Sequence, residues 1–449
     1  MHERAPDRSV WLSRSLVGGR WSVPHEIRLL KYPAVLYGLI GVTSFLVLFA
    51  IAARTGLNKP FIPGDDNSQY ASIAASVARG HGYKDPVGVW PTKAATDRVP
   101  VFPLVLSIGM RLDPRASEQV ISRVTNLVCL ALAGIAMGAL CRRLGLRPGA
   151  CLVGGLCLSL APVLISLALQ GLSEICFLLV VTAGLVLVFS NPRCFYPGCV
   201  VIGLGTLVRP NFIVVPFFFA ALALLVTYAR KQLTGSMALR GALALCLTTL
   251  PALLWMVRND AITGRFPLLT TDYGETFYGS NNDVTANQLQ YWGYWTFPDN
   301  IPGETPKKIL ATRMNDVDLN DYYYQRGADW IESHPSALPR LLLGKTIRSL
   351  ALVPWSDSPS WQEFAVFTLR LVFLALVLIT MPYWWHAIDR RYLLFLGALA
   401  ISHAVTTVMM YGLVRFSFCF FEIFTAPCLA LGLQKWVTTS REGRAAVGA

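Results

Sequence analysis

Two adjacent carboxylates, Asp65 and Asp66, directly follow the first hydrophobic segment of the chain and precede a short helical pattern. The hydrophobic segment, 33–53, has about 21 residues and no formal charge, so it can cross a hydrocarbon core of about 30 Å. A carboxylate held at the edge of a membrane can serve as a general base toward a hydroxyl group. The pair also has a structural explanation, because acidic residues cap helices and stabilise the positive end of the helix dipole.

The residues around Asp66 predict a helix start. Asp66 can cap the helix, and Gln69, three residues later, can complete a capping box. Apolar residues recur at helical spacing over 70–77, and Gly80 can end the helix. Because this helix is too short to span a bilayer, we expect it to lie along the membrane surface, with its apolar stripe inward and both carboxylates at its mouth.

The composition is that of an all-α polytopic membrane protein. Of 449 residues, 54% are hydrophobic and 14% charged, and apolar segments recur along nearly the whole chain. Hydropathy predicts about ten transmembrane helices, at 33–53, 117–140, 149–168, 172–190, 196–208, 211–229, 239–257, 363–385, 391–411 and 414–434.

The net charge of +13 does not indicate a nucleic-acid partner, because Lys and Arg cluster in the short loops between predicted helices. If the chain starts on the cytoplasmic side, ten helices place every basic cluster on that side. The long segments 54–116 and 258–362 then face outward. The ten cysteines lie in predicted helices or on the inner side, so we expect no structural disulfide.

This topology divides the chain into five parts. They are a basic cytoplasmic tail (1–32), an N-terminal transmembrane module (33–257) with an outer loop at 54–116, an extracytoplasmic segment (258–362), C-terminal transmembrane helices (363–434) and a cytoplasmic tail (435–449). Within the outer loop, the apolar residues 99–112 predict a second interfacial helix. The segment 339–355 predicts a basic helix, with Arg340, Lys345 and Arg348 facing a membrane surface that carries phosphates.

The first motif, DNSQYASIA from Asp66 to Ala74, is followed about thirty residues later by DRVPVFP from Asp97. This order resembles the polyprenyl-phosphate-sugar glycosyltransferases of the GT-C membrane fold, which include the protein O-mannosyltransferases and the lipid A aminoarabinose transferases. In that class an acidic residue opens an outer-loop helix, an aromatic residue follows four positions later, and a second acidic residue precedes a Pro-rich interfacial helix. The segments GLGTLVRPN (203–211), RNDAITGRF (258–266) and YGLVRF (411–416) also look like parts of these enzymes. The sequence departs at Asn67, where Glu is frequent, and at Asp97, where the aminoarabinose enzymes commonly have Glu.

The resemblance implies a GT-C-like helix bundle with outer-face interfacial helices. The composition, rich in Ala, Leu, Gly and Arg, suggests a bacterial plasma (inner) membrane. The resemblance also implies a hexosyl- or pentosyltransferase that moves a sugar from a polyprenyl-phosphate donor to an acceptor hydroxyl on the extracytoplasmic face. The acceptor could be a glycan, a lipid or a protein. Because a lipid phosphate leaves as a stable anion, one general base is enough, and no general acid is needed. We expect Asp66 to be this base, with Asp65 as the alternate.

Asp97 could orient the acceptor or, together with Asp66, hold a divalent cation if one is used; no other cofactor is expected. The donor phosphate needs fixed cations, and arginines at the membrane edge are candidates. Four arginines lie at the outward ends of predicted elements: Arg98, Arg209, Arg258 and Arg415. Snorkelling to the interface is the alternative for each of them.

Several other polar residues could support the site. Tyr70 follows Asp66 by four positions, Lys345 lies in the basic helix, and Glu174 lies at an outer hairpin where it can pair with an arginine. His403 and Glu422 fall within the last two predicted helices. His403 has the ordinary interpretation of a satisfied core group, and Glu422 that of a partner for an arginine.

Other functions have less support in the sequence. There is no phosphate-binding loop of the GxxxxGK[ST] type, no HExxH motif and no Cys/His cluster with zinc spacing. A nucleotide-sugar donor is disfavoured because the carboxylates face away from the cytoplasm. A lipid or glycan transporter or flippase would need repeat symmetry and charged residues at the midplane. A non-catalytic subunit of polymer assembly would tolerate loss of Asp66.

Overall fold

The computed structural model describes residues 32–62, 65–266, 269–350 and 361–447. Almost all of the predicted N-terminal tail, residues 63–64 before the acidic pair, and the end of the predicted basic helix lie outside the described residues. Within them the protein is helical, and extended pairing is limited to one isolated bridge between Lys84 and Ala94. The described part of the chain is thus an all-α polytopic membrane protein.

The described residues of the N-terminal half form ten α-helices. They are α1 (Pro33–Thr55), α2 (Asp66–Ala78), α3 (Val101–Leu112), α4 (Glu118–Arg143), α5 (Pro148–Ser159), α6 (Pro162–Gln170), α7 (Glu174–Val188), α8 (Pro192–Leu204), α9 (Val215–Ala229) and α10 (Gly235–Thr263). Proline at the first or second position begins α1, α5, α6 and α8, where its missing N–H costs no hydrogen bond.

The C-terminal half begins with short helices and ends with apolar ones. They are α11 (Tyr273–Ser280), α12 (Asp283–Asn287), α13 (Lys307–Leu310), α14 (Asp316–Ser333), α15 (Leu338–Leu350), α16 (Trp361–Ile379), α17 (Met381–Trp384), α18 (Arg390–Met409), α19 (Val414–Phe420) and α20 (Ala426–Val447). Helix α10 runs six residues beyond the predicted membrane boundary at residue 257, so the segment 258–362 begins in helical form.

Fewer continuous membrane-spanning helices are present than the ten that hydropathy predicts. Among the described residues six stretches are long and apolar enough, and the pair α5 and α6, bent by 42°, would make a seventh. Helices α7 and α8 have only 15 and 13 residues. Proline and glycine residues divide the apolar segments into shorter helices, and a hydropathy average does not detect such breaks.

Close helix contacts hold the bundle together. A side-chain carbon on Gly134 of α4 would lie 2.6 Å from Cβ of Ser159, and one on Gly138 would lie 2.6 Å from Cδ1 of Ile40. Small residues that let helix backbones approach are typical of membrane helix interfaces. Large apolar side chains on α1, such as Phe49, and on α10, such as Leu254, remain exposed and suit a lipid environment. The cysteines are all free thiols.

The two long polar segments meet at one end of the bundle. The backbone N–H of Thr271 donates to the carbonyl of Thr96 at 3.1 Å, and the hydroxyl groups of the same two residues lie 3.1 Å apart. The segment 258–362 has a small core of its own, formed by Tyr278, Val284, Ile301, Leu310, Leu319 and Tyr323. The structure therefore brings together the two segments that the sequence assigns to the same side.

The predicted basic helix forms as α15, but it does not present its cations to a membrane surface. Lys345 and Arg348 are both buried, and only Arg340 of the three basic residues is exposed. Arg348 donates through Nε to the carbonyl of Trp292 at 2.6 Å, so it fixes the aromatic loop after α12. The tertiary contacts of this helix override the pattern of its sequence.

Candidate functional site

The acidic pair lies at the start of α2, but the predicted cap is wrong by one residue. Asp65 is the N-cap residue and Asp66 is the first helical residue, and neither makes a side-chain capping bond. The capping box is also absent, because Oε1 of Gln69 instead accepts a hydrogen bond from Nε of Arg98 at 2.7 Å. An ion pair with Asp66 and a hydrogen bond to Gln69 thus hold these two side chains against Arg98 rather than at the helix terminus.

Helix α2 is buried more completely than an interfacial helix would be. All residues from Tyr70 to Ser76 are buried, so the expected apolar stripe is instead about two fully enclosed turns of mostly small side chains. The end of the helix is as predicted, since Gly80 follows it with φ of 80°. The amide of Asn67 donates to the carbonyl of Gln170 at 2.9 Å and attaches the first turn to α6.

Arg123 fixes the linker that leads to the acidic pair. Its guanidinium group donates to the carbonyls of Leu57, Lys59 and Leu169, and it lies 4.9 Å from the ring centroid of Phe61. These contacts attach the residues after α1 to α4 and α6. Arg123 therefore positions the linker.

Asp66 forms an ion pair with the arginine of the second motif. Nη2 of Arg98 lies 3.0 Å from Oδ1 of Asp66, and the ring of Tyr70 lies beside the guanidinium group, 5.7 Å from centroid to Cζ. Nη1 of Arg98 also donates to Asp272, which comes from the second polar segment. The first two motifs and the segment 258–362 thus meet at one guanidinium group.

The second oxygen of Asp66 faces a second arginine from the end of the chain. Nη2 of Arg415 lies 3.6 Å from Oδ2 of Asp66, and Nε of Arg415 lies 3.5 Å from Oε1 of Glu174. Nη1 of Arg209 lies 3.3 Å from the same Glu174 oxygen and 3.2 Å from Oγ of Ser173. The ring of Phe416 lies about 5 Å from both guanidinium groups.

These side chains form one network of alternating charge, which we call the arginine network. Its members are Asp272, Arg98, Asp66, Arg415, Glu174 and Arg209. Three carboxylates and three guanidinium groups balance in charge, and this balance matters most for Glu174 and Arg209, which are buried. Five of these six residues were singled out from the sequence, and the structure brings those five together.

The two carboxylates of the acidic pair have different electrostatic surroundings. Burial acts to raise the pKa of Asp66, but Arg98, Arg415 and Arg209 together outweigh burial and lower it below its usual value. Burial and the neighbouring charge of Asp66 raise the pKa of Asp65 above its usual value. In the state described here, Asp66 is therefore firmly ionised and is a weaker base than an unpaired carboxylate.

Asp97 lies next to Arg98 and faces a different space. Burial raises the pKa of Asp97 to about 6, with further repulsion from Asp272 and Asp85 and a partial offset from Arg98. Asp97 lines a partly open pocket between the two polar segments, together with Asp85, Trp90, Thr271 and Asp316. A carboxyl group whose pKa lies close to neutrality can hold or release a proton there.

Arg258 does not reach the arginine network. Its Nη1 donates at 2.7 Å to the carbonyl of Ala95 and to Oδ1 of Asn259. Its guanidinium group lies 4.4 Å from the ring centroid of Trp255 and 5.4 Å from that of Tyr83. In this arrangement Arg258 fastens the loop of the second motif to α10.

Lys345 and His403 are also placed apart from the arginine network. Nζ of Lys345 donates to Oδ1 of Asn281 at 2.8 Å and to the carbonyl of Val408 at 3.1 Å, and burial lowers its pKa to about 7. Nε2 of His403 lies 2.6 Å from Oγ of Ser349. Both residues therefore link α15 to α18.

The expected pairing of Glu422 with an arginine is confirmed. Arg370 donates to its two carboxylate oxygens at 2.7 and 2.5 Å, and both side chains are buried. This pair lies in a polar cluster with Ser417, separate from the arginine network.

Sequence reasoning missed Asp272, Asp85 and Trp90, and it included Tyr411 only as the first residue of YGLVRF. Asp272 directly precedes a helix, as Asp65 does, and that resemblance was the available signal. Burial raises the pKa of Tyr411 to about 12, and its ring packs edge-on against Tyr294, with centroids 5.7 Å apart. Nothing in the spacing of Asp85 and Trp90 distinguishes them from ordinary loop residues.

The contacts of Asp66 do not suit the divalent cation considered from the sequence. Both of its oxygens face guanidinium groups rather than further carboxylates. Among the described residues, no three His, Cys, Asp or Glu side chains are grouped as metal ligands. We therefore derive no catalytic step through a metal at Asp66 and Asp97.

Comparison with known proteins gives matches among solved structures. Neither a protein-family model nor a curated protein matches the chain. A crystal structure of ArnT from Cupriavidus metallidurans in the apo state is similar at 15% identity and a TM-score of 0.39, over 89% of this chain and 78% of that one. The structure of the same protein bound to undecaprenyl phosphate is similar at 15% identity and a TM-score of 0.39, over 90% of this chain and 77% of that one.

Proposed function

We propose that this protein is an integral membrane glycosyltransferase that transfers a sugar from a polyprenyl-phosphate donor to an acceptor hydroxyl group on the extracytoplasmic face. The arginine network carries the proposal. It places a carboxylate between two guanidinium groups where the chain enters its polar segment, next to an open pocket. An anionic lipid headgroup and an attacking hydroxyl group need these two elements side by side.

Arg415 is the cation best placed to receive the donor phosphate. Its contacts with Asp66 and Glu174 are long, at 3.6 and 3.5 Å, and its Nε has no hydrogen-bond partner among the described residues. A buried donor without a partner loses stabilisation that an acceptor oxygen would supply. The phosphodiester of the donor has two such oxygens, which match the planar fork of the guanidinium group.

The transfer step needs one base and no acid. The acceptor oxygen attacks the anomeric carbon of the donor, a new C–O bond forms, and the bond from that carbon to the phosphate oxygen breaks. The acceptor proton passes to the base, and the electron pair of the broken bond leaves with the polyprenyl phosphate. Arg415 and Arg209 would stabilise the charge that develops on the departing phosphate. Inversion at the anomeric carbon follows from attack opposite the leaving group.

Donor binding would also activate Asp66. In the described state the pKa of Asp66 is lowered by arginines that outweigh burial. A phosphate that bonds to Arg415 removes part of this stabilisation and adds a negative charge nearby. Both effects raise the pKa of Asp66 and strengthen it as a base. Asp65, with its raised pKa, is the alternate base.

The position of the charges favours an enzyme over a transporter. Two of the six charged residues of the arginine network, Arg98 and Asp272, come from the long polar segments rather than from apolar helices. Transporter sites lie instead near the bilayer midplane between matched repeats. The proposed acceptor side of the membrane agrees with the basic clusters of the predicted inner loops.

Glycan analysis of a deletion strain tests the function. We expect the deletion strain to accumulate an envelope glycan that lacks one sugar, together with the unused lipid-linked sugar. The wild-type gene should restore the glycan, and the D66N gene should not. An unchanged glycan and lipid-linked sugar pool in the deletion strain would refute the proposal.

Thiol labelling tests the orientation. Cysteines at exposed Lys93 and Gln325 should react with a membrane-impermeant reagent in intact cells, whereas one at Ser236 should react only after lysis. The parent chain with its native cysteines sets the background. The opposite labelling pattern would place the arginine network on the cytoplasmic side and refute the extracytoplasmic assignment.

A further inference from the structure

The pocket beside Arg98 has a tryptophan on one wall and three carboxylates around it. Its lining includes Trp90, Asp85, Asp97 and Asp316, contributed by both polar segments. Lys93 Nζ lies 5.7 Å from the Trp90 ring centroid, and Lys93 is exposed, so the cover over that face is a flexible side chain. An exposed cation over an aromatic ring contributes little, and a ligand can displace it.

One carboxylate of this pocket has an oxygen that the protein does not satisfy. Asp85 is 5% exposed; its Oδ1 accepts from Ser72 and from the N–H of Val87, but its Oδ2 has no hydrogen-bond partner among the described residues. A side-chain carbon on Gly88, another lining residue, would lie 2.7 Å from Oδ2. Oδ2 is thus enclosed, and glycine at this position keeps one side of the oxygen free of a side chain.

The pocket and the arginine network are formed by residues that are adjacent in sequence. Asp97 lines the pocket, and the next residue, Arg98, pairs with Asp66. On the second segment, Thr271 lines the pocket, and the next residue, Asp272, pairs with Arg98. Two pairs of adjacent residues thus connect the pocket to the ion pairs of the proposed base.

We infer that this pocket binds a sugar ring of the acceptor, which stacks on Trp90 and donates its hydroxyl groups to Asp85, Asp97 and Asp316. The inference rests on the proposed function and names its acceptor as a glycan. Carboxylates accept from the hydroxyl groups of a sugar, and an aromatic face packs against its C–H groups. A bound hydroxyl also supplies the missing donor for Oδ2 of Asp85.

Saturation-transfer NMR with methyl glycosides tests the inference without requiring transfer. The full chain in nanodiscs would be mixed in turn with the methyl glycosides of glucose, galactose, mannose, N-acetylglucosamine and arabinose. We expect at least one to show transfer to its ring protons. We expect its apparent affinity to fall about tenfold in W90A and less in W90F, which keeps an aromatic face.

Two further variants separate stacking from hydrogen bonding, and one serves as control. D316N should weaken binding of the glycoside, because the amide turns one acceptor oxygen into a donor. K93A should leave binding equal or tighter, because it uncovers the ring. W436A, which removes an exposed tryptophan outside the pocket, should change nothing.

Defined results would overturn the inference. They are the absence of a signal from every glycoside, equal signals in wild type and W90A, or binding of butylamine in the pocket without binding of any glycoside. The last result would assign the carboxylates to a cationic ligand. Undecaprenyl phosphate binding, measured on the same samples, reports separately on the proposed donor site. Failure of the pocket is thereby distinguished from failure of the proposed function.

Discussion

Replacing Asp66 by Asn should affect catalysis and lipid binding in opposite directions. The amide keeps the size of the side chain but cannot accept the acceptor proton. Transfer should therefore fall about 10²- to 10⁴-fold, which corresponds to about 3–5 kcal/mol in the barrier. The variant should remain folded, because Arg98 keeps its contacts with Asp272 and Gln69. Arg415 likewise keeps its contact with Glu174.

The same change should tighten binding of the polyprenyl phosphate. Asp66 lies 3.6 Å from Arg415 through Oδ2, and its side chain is 33% exposed, so solvent screens the pair. An interaction of this type contributes about 1 kcal/mol, and its removal frees Arg415 for the phosphate. We expect about fivefold tighter binding of undecaprenyl phosphate to D66N.

Purified variants in nanodiscs allow both measurements. Undecaprenyl phosphate binding would be measured by native mass spectrometry, and transfer with lipid-linked sugars extracted from the deletion strain. Asp65→Asn should lose less activity, and Asp113→Asn, an exposed position in the same polar segment, should behave as wild type. A fully active D66N would remove Asp66 as the base, and an inactive D65N beside it would move the role one residue back. Weaker phosphate binding by D66N would refute the competition for Arg415.

Three further predictions separate the roles of the other charged residues. Arg415→Gln should weaken undecaprenyl phosphate binding about tenfold, with partial recovery in R415K, whereas Arg258→Gln should lower thermal stability and leave binding within about twofold; equal losses in both would refute the distinction. Because the folded state raises the pKa of Asp97 to about 6, it retains a proton that the unfolded state releases above about pH 4, so stability should fall as pH rises from 4 to 6. Melting curves of D97N over this range should lack that slope, and an unchanged slope would contradict the assignment. Arg370→Met alone should destabilise by about 3–5 kcal/mol, because it leaves Glu422 buried and unpaired, and R370M/E422L should recover most of the loss in a thermal unfolding assay.

Much of the arginine network could be predicted from the sequence, because charged residues are rare in apolar membrane segments. In a chain this apolar, a charge at the end of a hydrophobic segment is conspicuous. Asp66, Glu174 and Arg415 each lie at such an end, and the predicted topology put these ends on one side. Their meeting in one network then follows from charge balance within a low-dielectric environment.

The difference between Arg258 and Arg415 could not be predicted from position, since both lie at the end of an apolar segment. Trp255 lies three residues before Arg258 and therefore shares its helix face, which favours a cation–π contact. That signal was available but is also consistent with a phosphate site. The pocket around Asp85 and Trp90 was beyond prediction, because it depends on how the aperiodic residues of 258–362 pack against the first polar segment.

The paired state of Asp66 also bears on how the proposed enzyme would avoid hydrolysing its donor. A free carboxylate near an activated sugar could deprotonate water as readily as an acceptor hydroxyl group. Arg98 and Arg415 form ion pairs with ionised Asp66 and lower its pKa. Asp66 is therefore a poor base toward any hydroxyl group. A donor phosphate that binds Arg415 would draw it away from Asp66. A sugar in the neighbouring pocket would displace water from the space beside Asp97 and Arg98. Base strength would then be greatest when both substrates are present, so a loss of the pocket through W90A should raise donor hydrolysis relative to transfer. An unchanged ratio of hydrolysis to transfer in W90A would show that the pocket does not protect the donor.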